Sequence, residues 1–273
     1  MKIPKRRNEA AATEDALPTT PSASAFDEFV RCYGSAPRRG VFGMLVHDVG
    51  RRIVGGEFPP GTTLPNEEAL VDRFRVSRTV FREAMKTLAS KGLVEIRPKT
   101  GTRVRDRRQW HHTDPDVMVW HYETGPSAEV LAALRDVRRV LEPAAAARAA
   151  EAAEDCEIAR IAAAYADMCA TIGDPVAHSE ADRRFHAGIF EATHNFILAR
   201  MIDVIAIGIY GNAVGASART VSGQEMSLPY HLAVLDAIRA RDPTAAAAAA
   251  NRLLDTWQPM PDRIRREAME LEI

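Results

Sequence analysis

The chain has 273 residues, carries a formal net charge of −1, and is 46% hydrophobic. This length and composition allow one or two domains with proper cores, and no apolar run approaches the ~20 residues of a membrane-spanning helix. The three cysteines include no pair at metal-ligand spacing, which argues against a disulfide framework and fits a reducing, cytoplasmic environment.

The N-terminal stretch 1–36 is rich in Pro, Ser, Thr and Ala but poor in large apolar residues. This composition predicts a disordered tail. The beginning of the stretch also lacks the apolar segment of a secretory signal. At the other end, we treat residues 261–273 as a C-terminal tail.

Charge is unevenly distributed along the chain. Residues 38–108 contain 16 Lys and Arg against 8 Asp and Glu, whereas residues 109–273 contain 15 against 24. Such asymmetry indicates a nucleic-acid-binding half followed by a half with another task. The alternative is that the two halves merely have differently solvated surfaces.

The basic half predicts a winged helix-turn-helix domain over residues 37–105. Apolar residues at helical spacing, Pro/Gly turns and alternating strand residues follow one another there. The predicted order is helix 41–54, helix 66–74 with Asn66 as its cap, helix 77–90, strand 93–96, turn 98–101 and strand 102–104. In such domains one helix enters the major groove of DNA.

The third predicted helix has the features of a recognition helix. Ser77 is a natural N-cap, and Arg78, Arg82 and Lys86 recur every four residues on one face. Arginine can donate two hydrogen bonds to guanine. By itself this pattern also fits an ordinary solvated helix face, but the following hairpin, with Lys99 at its basic tip, favours DNA binding.

The segments PPGTTLPNEEAL, VSRTVFREAM and LASKGLVEIRPKTGTRV resemble the N-terminal domain of the GntR family of bacterial regulators. The resemblance extends over about 65 residues without a gap. It implies that Arg78 and Arg82 read bases, that Ser77 and Thr79 hold phosphate, and that the wing at Gly101 reaches the minor groove.

Glu68 is a departure from the family pattern. It occupies the position at which an arginine contacts DNA in relatives. Since a carboxylate cannot bind phosphate, we expect one fewer backbone contact or a different operator preference.

The acidic half predicts an all-α helical bundle over residues 127–260, joined to the basic half by a mixed linker, 106–126. In the linker, Trp110 and Trp120 are suited either to docking on a neighbouring domain or to ordinary packing. Helical periodicity predicts helices at 127–152, 155–171, 175–192, 194–213 and 227–256. The fold class is therefore mainly α, a winged helix-turn-helix followed by a helical bundle.

Three residues of the bundle suit a divalent metal. Asp182 and His186 are four residues apart and share a helix face, and His231 lies on a later helix. One carboxylate and two imidazoles suit Zn²⁺, with Ni²⁺ or Mn²⁺ as alternatives. His178 falls on the same face one turn earlier. The alternative reading is a set of exposed groups or groups satisfied within the core.

Two further residues are candidates for contact with a small anionic ligand. Arg138 on the first bundle helix can clamp a carboxylate, although Glu142, four residues later, is also a natural ion-pair partner. Asn195 lies at a junction between two predicted helices, where capping a helix is its other obvious role.

The segments DVRRVLEPAAAARAA, EADRRFHAGIFEATHN and YHLAVLDAIRARDPTAAAA resemble the FCD ligand-binding domain of the FadR-type branch of the GntR family. This resemblance implies a metal held by Asp182, His186 and His231 and an organic-acid effector met by Arg138. The family's fourth ligand would fall at Leu253, which cannot ligate. Segment 107–120 is also similar to that of sugar-acid regulators, which implies an aldonate or hexuronate-type effector.

Together these features predict a dimeric transcriptional regulator, in the role of a repressor, rather than an enzyme. Its partners would be double-stranded operator DNA and a small organic acid, and we expect no association with a membrane. Three alternatives remain: a metal sensor without organic effector, an activator, and a metal-dependent sugar-acid enzyme, which would leave the basic half unexplained.

Overall fold

The computed structural model describes residues 40–97, 100–125, 127–213 and 221–256. The predicted tails 1–36 and 261–273 and the wing residue Lys99 lie outside this range. The elements are α1 (Gly40–Val54), α2 (Glu67–Phe74), α3 (Arg78–Ser90), β1 (Val94–Arg97), β2 (Gly101–Val104), a 3-10 turn (Arg107–Gln109), α4 (Pro115–Thr124), α5 (Ala128–Ala152), α6 (Asp155–Ala170), α7 (Pro175–Glu191), α8 (Phe196–Ala213), α9 (Val221–Arg239) and α10 (Pro243–Asp255).

The basic half forms the predicted winged helix-turn-helix. The Asn66 Oδ1 atom accepts from the Ala69 amide at 2.8 Å and thereby caps α2, and Ser77 caps α3 in the same way. Between the two helices, Arg75 has a left-handed backbone with φ 51°. Strands β1 and β2 then pair antiparallel. The apolar faces of α1, α3 and the hairpin share one core, which includes Leu45, Ile53, Phe81, Met85, Leu88, Leu93 and Val104.

The predicted linker contains a helix, α4, that packs on the DNA-binding half. Asp114 begins it by accepting hydrogen bonds from the amides of Asp116 and Val117. Trp120 is buried against Gly50 of α1, and its indole nitrogen donates to His47 Nδ1 at 2.9 Å. Sequence periodicity did not reveal α4 because residues 117–121 are all buried, and not only those on the side of α4 that packs on α1. The helix therefore lacks the clear polar face that an amphipathic pattern requires.

Helices α5 to α10 form the all-α bundle, so the predicted fold class is confirmed. Small residues of α5 and α10 allow these two helices to pack closely. The buried core contains Ala145, Ala149, Ile161, Met168, Phe185, Ile189, Phe190, Leu235, Ile238, Ala246 and Ala250. Among the described residues, no helix is both long and apolar enough to cross a membrane.

The prediction of one helix over 227–256 was wrong, because α9 begins earlier and the chain then breaks before α10. Arg241 adopts a left-handed φ of 57°. Asp242 then caps the next helix by accepting from the Ala245 amide at 2.9 Å, and Pro243 occupies its first turn. These are ordinary stop and start signals, and the alanine run at 245–250 that follows them concealed the break.

Candidate DNA interface and buried histidine–aspartate site

The exposed face of α3 carries the arginines that the sequence singled out. The side chains of Arg78 and Arg82 are 67% and 66% exposed, respectively. Ser77 and Thr79 lie beside them in the first turn and are also exposed. The structure thus places four of the six predicted DNA-contact residues together, at the end of α3 that can approach base edges or phosphate.

Each of these arginines meets a carboxylate from the first turn of α2. Arg78 Nη2 lies 3.3 Å from Glu68 Oε1, and Arg82 Nε lies 3.3 Å from Glu67 Oε1. The contact with Glu67 was not foreseen from the sequence, because ten or more residues separate the partners and only the helix-turn-helix geometry brings them together.

The wing needs glycine at Gly101. Its φ of +89° lies in the left-handed region that residues with a Cβ atom rarely adopt. The residue is exposed at the start of β2, and Arg103 on the same strand donates from Nε to the Gly61 carbonyl at 2.9 Å. Gly101 therefore shapes the wing by its backbone and offers no side chain to DNA.

The three predicted metal ligands converge inside the bundle. Asp182 and His186 come from consecutive turns of α7, and His231 comes from α9. His186 Nε2 and His231 Nε2 lie 3.4 and 3.0 Å from Asp182 Oδ1, and one ligand atom from each residue falls within 4.8 Å of the others. Both imidazoles are buried, at 3% and 4% exposure.

The orientation of both rings fits a metal ion. The Nδ1 atom of His186 lies 3.2 Å from Glu142 Oε2, and that of His231 lies 2.9 Å from the Ser227 carbonyl. Because each Nδ1 atom already has an acceptor, a proton can remain there, while the Nε2 proton shared with Asp182 can be given up in exchange for a metal ion. Ligand atoms around a tetrahedral Zn²⁺ are about 3.3 Å apart, close to the contacts with Asp182.

The electrostatics of the site favour bound positive charge. Burial by itself lowers the pKa of His186, but the charge of Glu142 and hydrogen bonds with Asp182 and Glu142 outweigh it and raise this pKa to about 9. Burial raises the pKa of Asp182, but hydrogen bonds from His186 and His231 hold it well below its ordinary range. The cluster therefore retains a proton or can exchange it for a cation.

Arg138 is buried, and its Nε donates to Glu142 one helical turn later. Glu142 therefore joins Arg138 to His186. The spacing along α5 indicates the contact of Arg138 with Glu142, but not the contact of Glu142 with His186 on α7. Among the described residues, the guanidinium makes no other hydrogen bond to the protein. Its terminal nitrogens remain available to a bidentate carboxylate.

The remaining sequence candidates are not among the three clustered ligand residues. Asn195 is exposed, and its Oδ1 caps α8 by accepting from the amides of Ile197 and Leu198. His178 is buried one turn before Asp182 with its Nδ1 atom 3.0 Å from the Met168 carbonyl, and it is not part of the three-residue cluster. Leu253 is buried in α10 as a core residue.

Comparisons with known proteins agree with this arrangement of a winged helix before a helical bundle. The family described as bacterial regulatory proteins, gntR family, matches residues 43–104, and the FCD domain matches residues 133–256. The galactonate operon transcriptional repressor of Escherichia coli (strain K12) is 37% identical over 210 residues, covering 76% of this chain and 90% of that protein. The chain belongs to the GntR family.

Two further comparisons extend over a similar share of this chain. The HTH-type transcriptional regulator YieP of Escherichia coli (strain K12), described as uncharacterised, is 31% identical and covers 80% of this chain and 94% of its own. The solved structure of Lar, which controls expression of the Listeria monocytogenes agr system, superimposes with a TM-score of 0.54 at 18% identity, over 81% of this chain and 95% of that one. That likeness shows the fold alone.

Membership of the GntR family makes the chain a DNA-binding transcriptional regulator and not an enzyme. The FCD domain fits a role in binding an effector. In this regulator the buried cluster of Asp182, His186 and His231 is a candidate metal site.

Proposed function

We propose that this GntR-family regulator is a homodimeric repressor of a sugar-acid catabolic operon, with the domain limits 37–105 and 127–260 set out above. Its DNA contacts are Arg78 and Arg82 to bases, with Ser77, Thr79, Lys99 and Gly101 along the backbone and minor groove. A galactonate operon repressor among its relatives supports a hydroxylated organic acid as the effector. The protein acts in the cytoplasm, where bacterial DNA is located.

The effector binds through a divalent metal, Zn²⁺ in preference to Ni²⁺ or Mn²⁺, and this metal is held by Asp182, His186 and His231. The observation that carries this proposal is the inward convergence of two Nε2 atoms on one carboxylate, with both Nδ1 atoms engaged by acceptors. A metal with three protein ligands keeps an open position that binds a carboxylate or hydroxyl oxygen.

Arg138 completes the proposed effector site. Its buried guanidinium is linked to His186 through Glu142, which supports placing the effector carboxylate at the terminal nitrogens of Arg138. We leave Asn195 out of this site because its side-chain oxygen already caps α8. Effector binding then shifts the population between placements of the winged helix that can and cannot bind the operator.

The metal and effector part of the proposal is tested by titrating EDTA-treated protein with Zn²⁺ and then with galactonate or other aldonates in a calorimeter. The His186→Ala and Asp182→Asn variants should lose metal binding at least tenfold and lose the effector response, yet still bind operator DNA. His194→Ala is the matched control, since His194 is an exposed bundle histidine paired with Glu157. A normal effector response in both site variants would refute the proposal.

The DNA part is tested separately by anisotropy titrations at fixed salt on a duplex selected from random DNA. The Arg78→Ala and Arg82→Ala variants should each lose about 1–3 kcal/mol of sequence discrimination. Arg148→Ala, which removes an exposed arginine from the bundle, is the control. Unchanged specific affinity in both α3 variants would remove these arginines from the interface.

A metal sensor without organic effector remains the second candidate, because the cluster by itself requires only a cation. It predicts that Zn²⁺ alone changes operator affinity and that no sugar acid adds to the change. The same titrations, repeated with and without aldonate, separate the two functions.

A further inference from the structure

We propose that Glu68 is a base-reading residue that acts jointly with Arg78, so that the two side chains recognise both halves of one G·C base pair. The proposal rests on the proposed placement of α3 in the major groove and adds a specificity determinant from a different helix, α2. The geometry of the Arg78–Glu68 contact carries it.

The contact between Glu68 and Arg78 leaves most of both groups free. Only one guanidinium nitrogen, Nη2, meets one carboxylate oxygen, Oε1, at 3.3 Å. Within the described part of the chain, neither side chain has another partner, and the side chains are 75% and 67% exposed. The pair therefore presents guanidinium donors and a carboxylate acceptor side by side on the DNA-facing surface.

This order of groups is complementary to a G·C pair in the major groove. Guanine presents two acceptors there, N7 and O6, and its paired cytosine presents one donor, the N4 amino group. Arginine donates to the guanine acceptors, and a glutamate accepts from the cytosine amino group. Each of the two side chains thus has a partner on the same base pair, while their mutual contact aligns them.

Electrostatics also require a donor for Glu68. A carboxylate that faces DNA is repelled by the phosphates unless it finds a hydrogen-bond donor. Arg78 and the cytosine amino group are donors that the major groove arrangement provides. Without them, an exposed glutamate at this position would only weaken binding.

Glu67 shows by contrast why the neighbouring carboxylate does not have this role. Its Oε1 atom is buried and lies 3.3 Å from Arg82 Nε, and its side chain is only 32% exposed. Glu67 therefore supports Arg82 from the side of the protein. Glu68, on the same helical turn, is 75% exposed and is therefore the one of the two that is free to reach DNA.

The test uses a duplex selected by the full-length protein from random DNA and replaces each cytosine of a half-site in turn with 2-pyrimidinone, which lacks the N4 amino group. At one position per half-site, the unmodified protein should lose about fivefold in affinity. The Glu68→Ala variant should lose none there, because the interaction is already absent. Glu57→Ala, which removes another exposed, arginine-paired glutamate of this domain, should behave as the unmodified protein.

The inference is overturned if no cytosine distinguishes the unmodified protein from Glu68→Ala. A uniform rise in the affinity of Glu68→Ala for all sequences would likewise overturn it, because Glu68 would then act only as a repulsive charge. Binding of Arg78→Ala and Arg82→Ala to the same duplexes tests the proposed recognition helix separately from the role of Glu68. If Arg78→Ala and Arg82→Ala both keep the full base preference, α3 is not the reading element.

Discussion

Replacing His121 with glutamine should remove much of the loss of stability that the DNA-binding half suffers on acidification. His121 lies on α4 and is 5% exposed, with its Nε2 atom 3.3 Å from His112 Nδ1. Burial, followed by the charges of His112 and Arg107, lowers its pKa from the ordinary 6.5 to about 4. The folded protein therefore holds this imidazole neutral where the unfolded chain would protonate it.

The sign and size of the effect follow from this difference. The pKa is lower in the folded state, so the unfolded state binds more protons, and the free energy of unfolding falls as pH drops from about 6.5 towards 4. A shift of about 2.5 units corresponds to roughly 3 kcal/mol in total. Of this, about 2 kcal/mol should be lost between pH 7 and pH 5.

The change in the free energy of unfolding between pH 7 and pH 5 is measured by urea unfolding in the presence of EDTA, with tryptophan fluorescence as the signal. Trp110 and Trp120 belong to the core of the DNA-binding half, so they report on the unit that contains His121. His121→Gln should lose about 2 kcal/mol less than the unmodified protein over this pH interval, whereas the exposed-site control His194→Gln should match the unmodified protein. An equal acid loss in His121→Gln and the unmodified protein would show that His121 is not held neutral by the fold.

Two other substitutions test how α4 is attached to the DNA-binding half. In Gly50→Ala the new Cβ atom would lie 2.4 Å from the Trp120 ring, so we expect a loss of about 1–3 kcal/mol in thermal or urea unfolding; a variant as stable as the unmodified protein would show that the Trp120 contact is not tight. Lys91→Met removes the buried ammonium between Asp114 and Asp116, 2.9 and 2.7 Å away. This substitution should lower the free energy of unfolding by about 2 kcal/mol in the same assay, a discounted value because the carboxylates are partly exposed. The control Lys86→Met, which removes an exposed ion pair, should change stability by less than ~0.5 kcal/mol. Equal effects of the two lysine variants would show that the contacts of Lys91 with Asp114 and Asp116 do not stabilise the attachment of α4.

Local signals were sufficient for the elements whose boundaries are set by neighbouring residues. Ser77 and Asn66 were recognisable as caps because an N-cap acts on amides two or three residues away. The spacing of Asp182 and His186 is also a local signal, because residues four apart lie on one face of an α-helix. Periodicity does not indicate α4, because that helix is buried on several sides. It does not indicate the break before α10 either, because the alanine run at 245–250 masks it.

The sequence by itself determined the class of the protein, the order of its elements and the side chains available for chemistry. Only the tertiary structure decided which of these side chains meet, because contacts such as Glu68 with Arg78, His231 with Asp182, and Trp120 with Gly50 join residues far apart along the chain. Hydrophobic periodicity specifies which face of a helix is buried, but the partner of that face depends on how helices pack against one another.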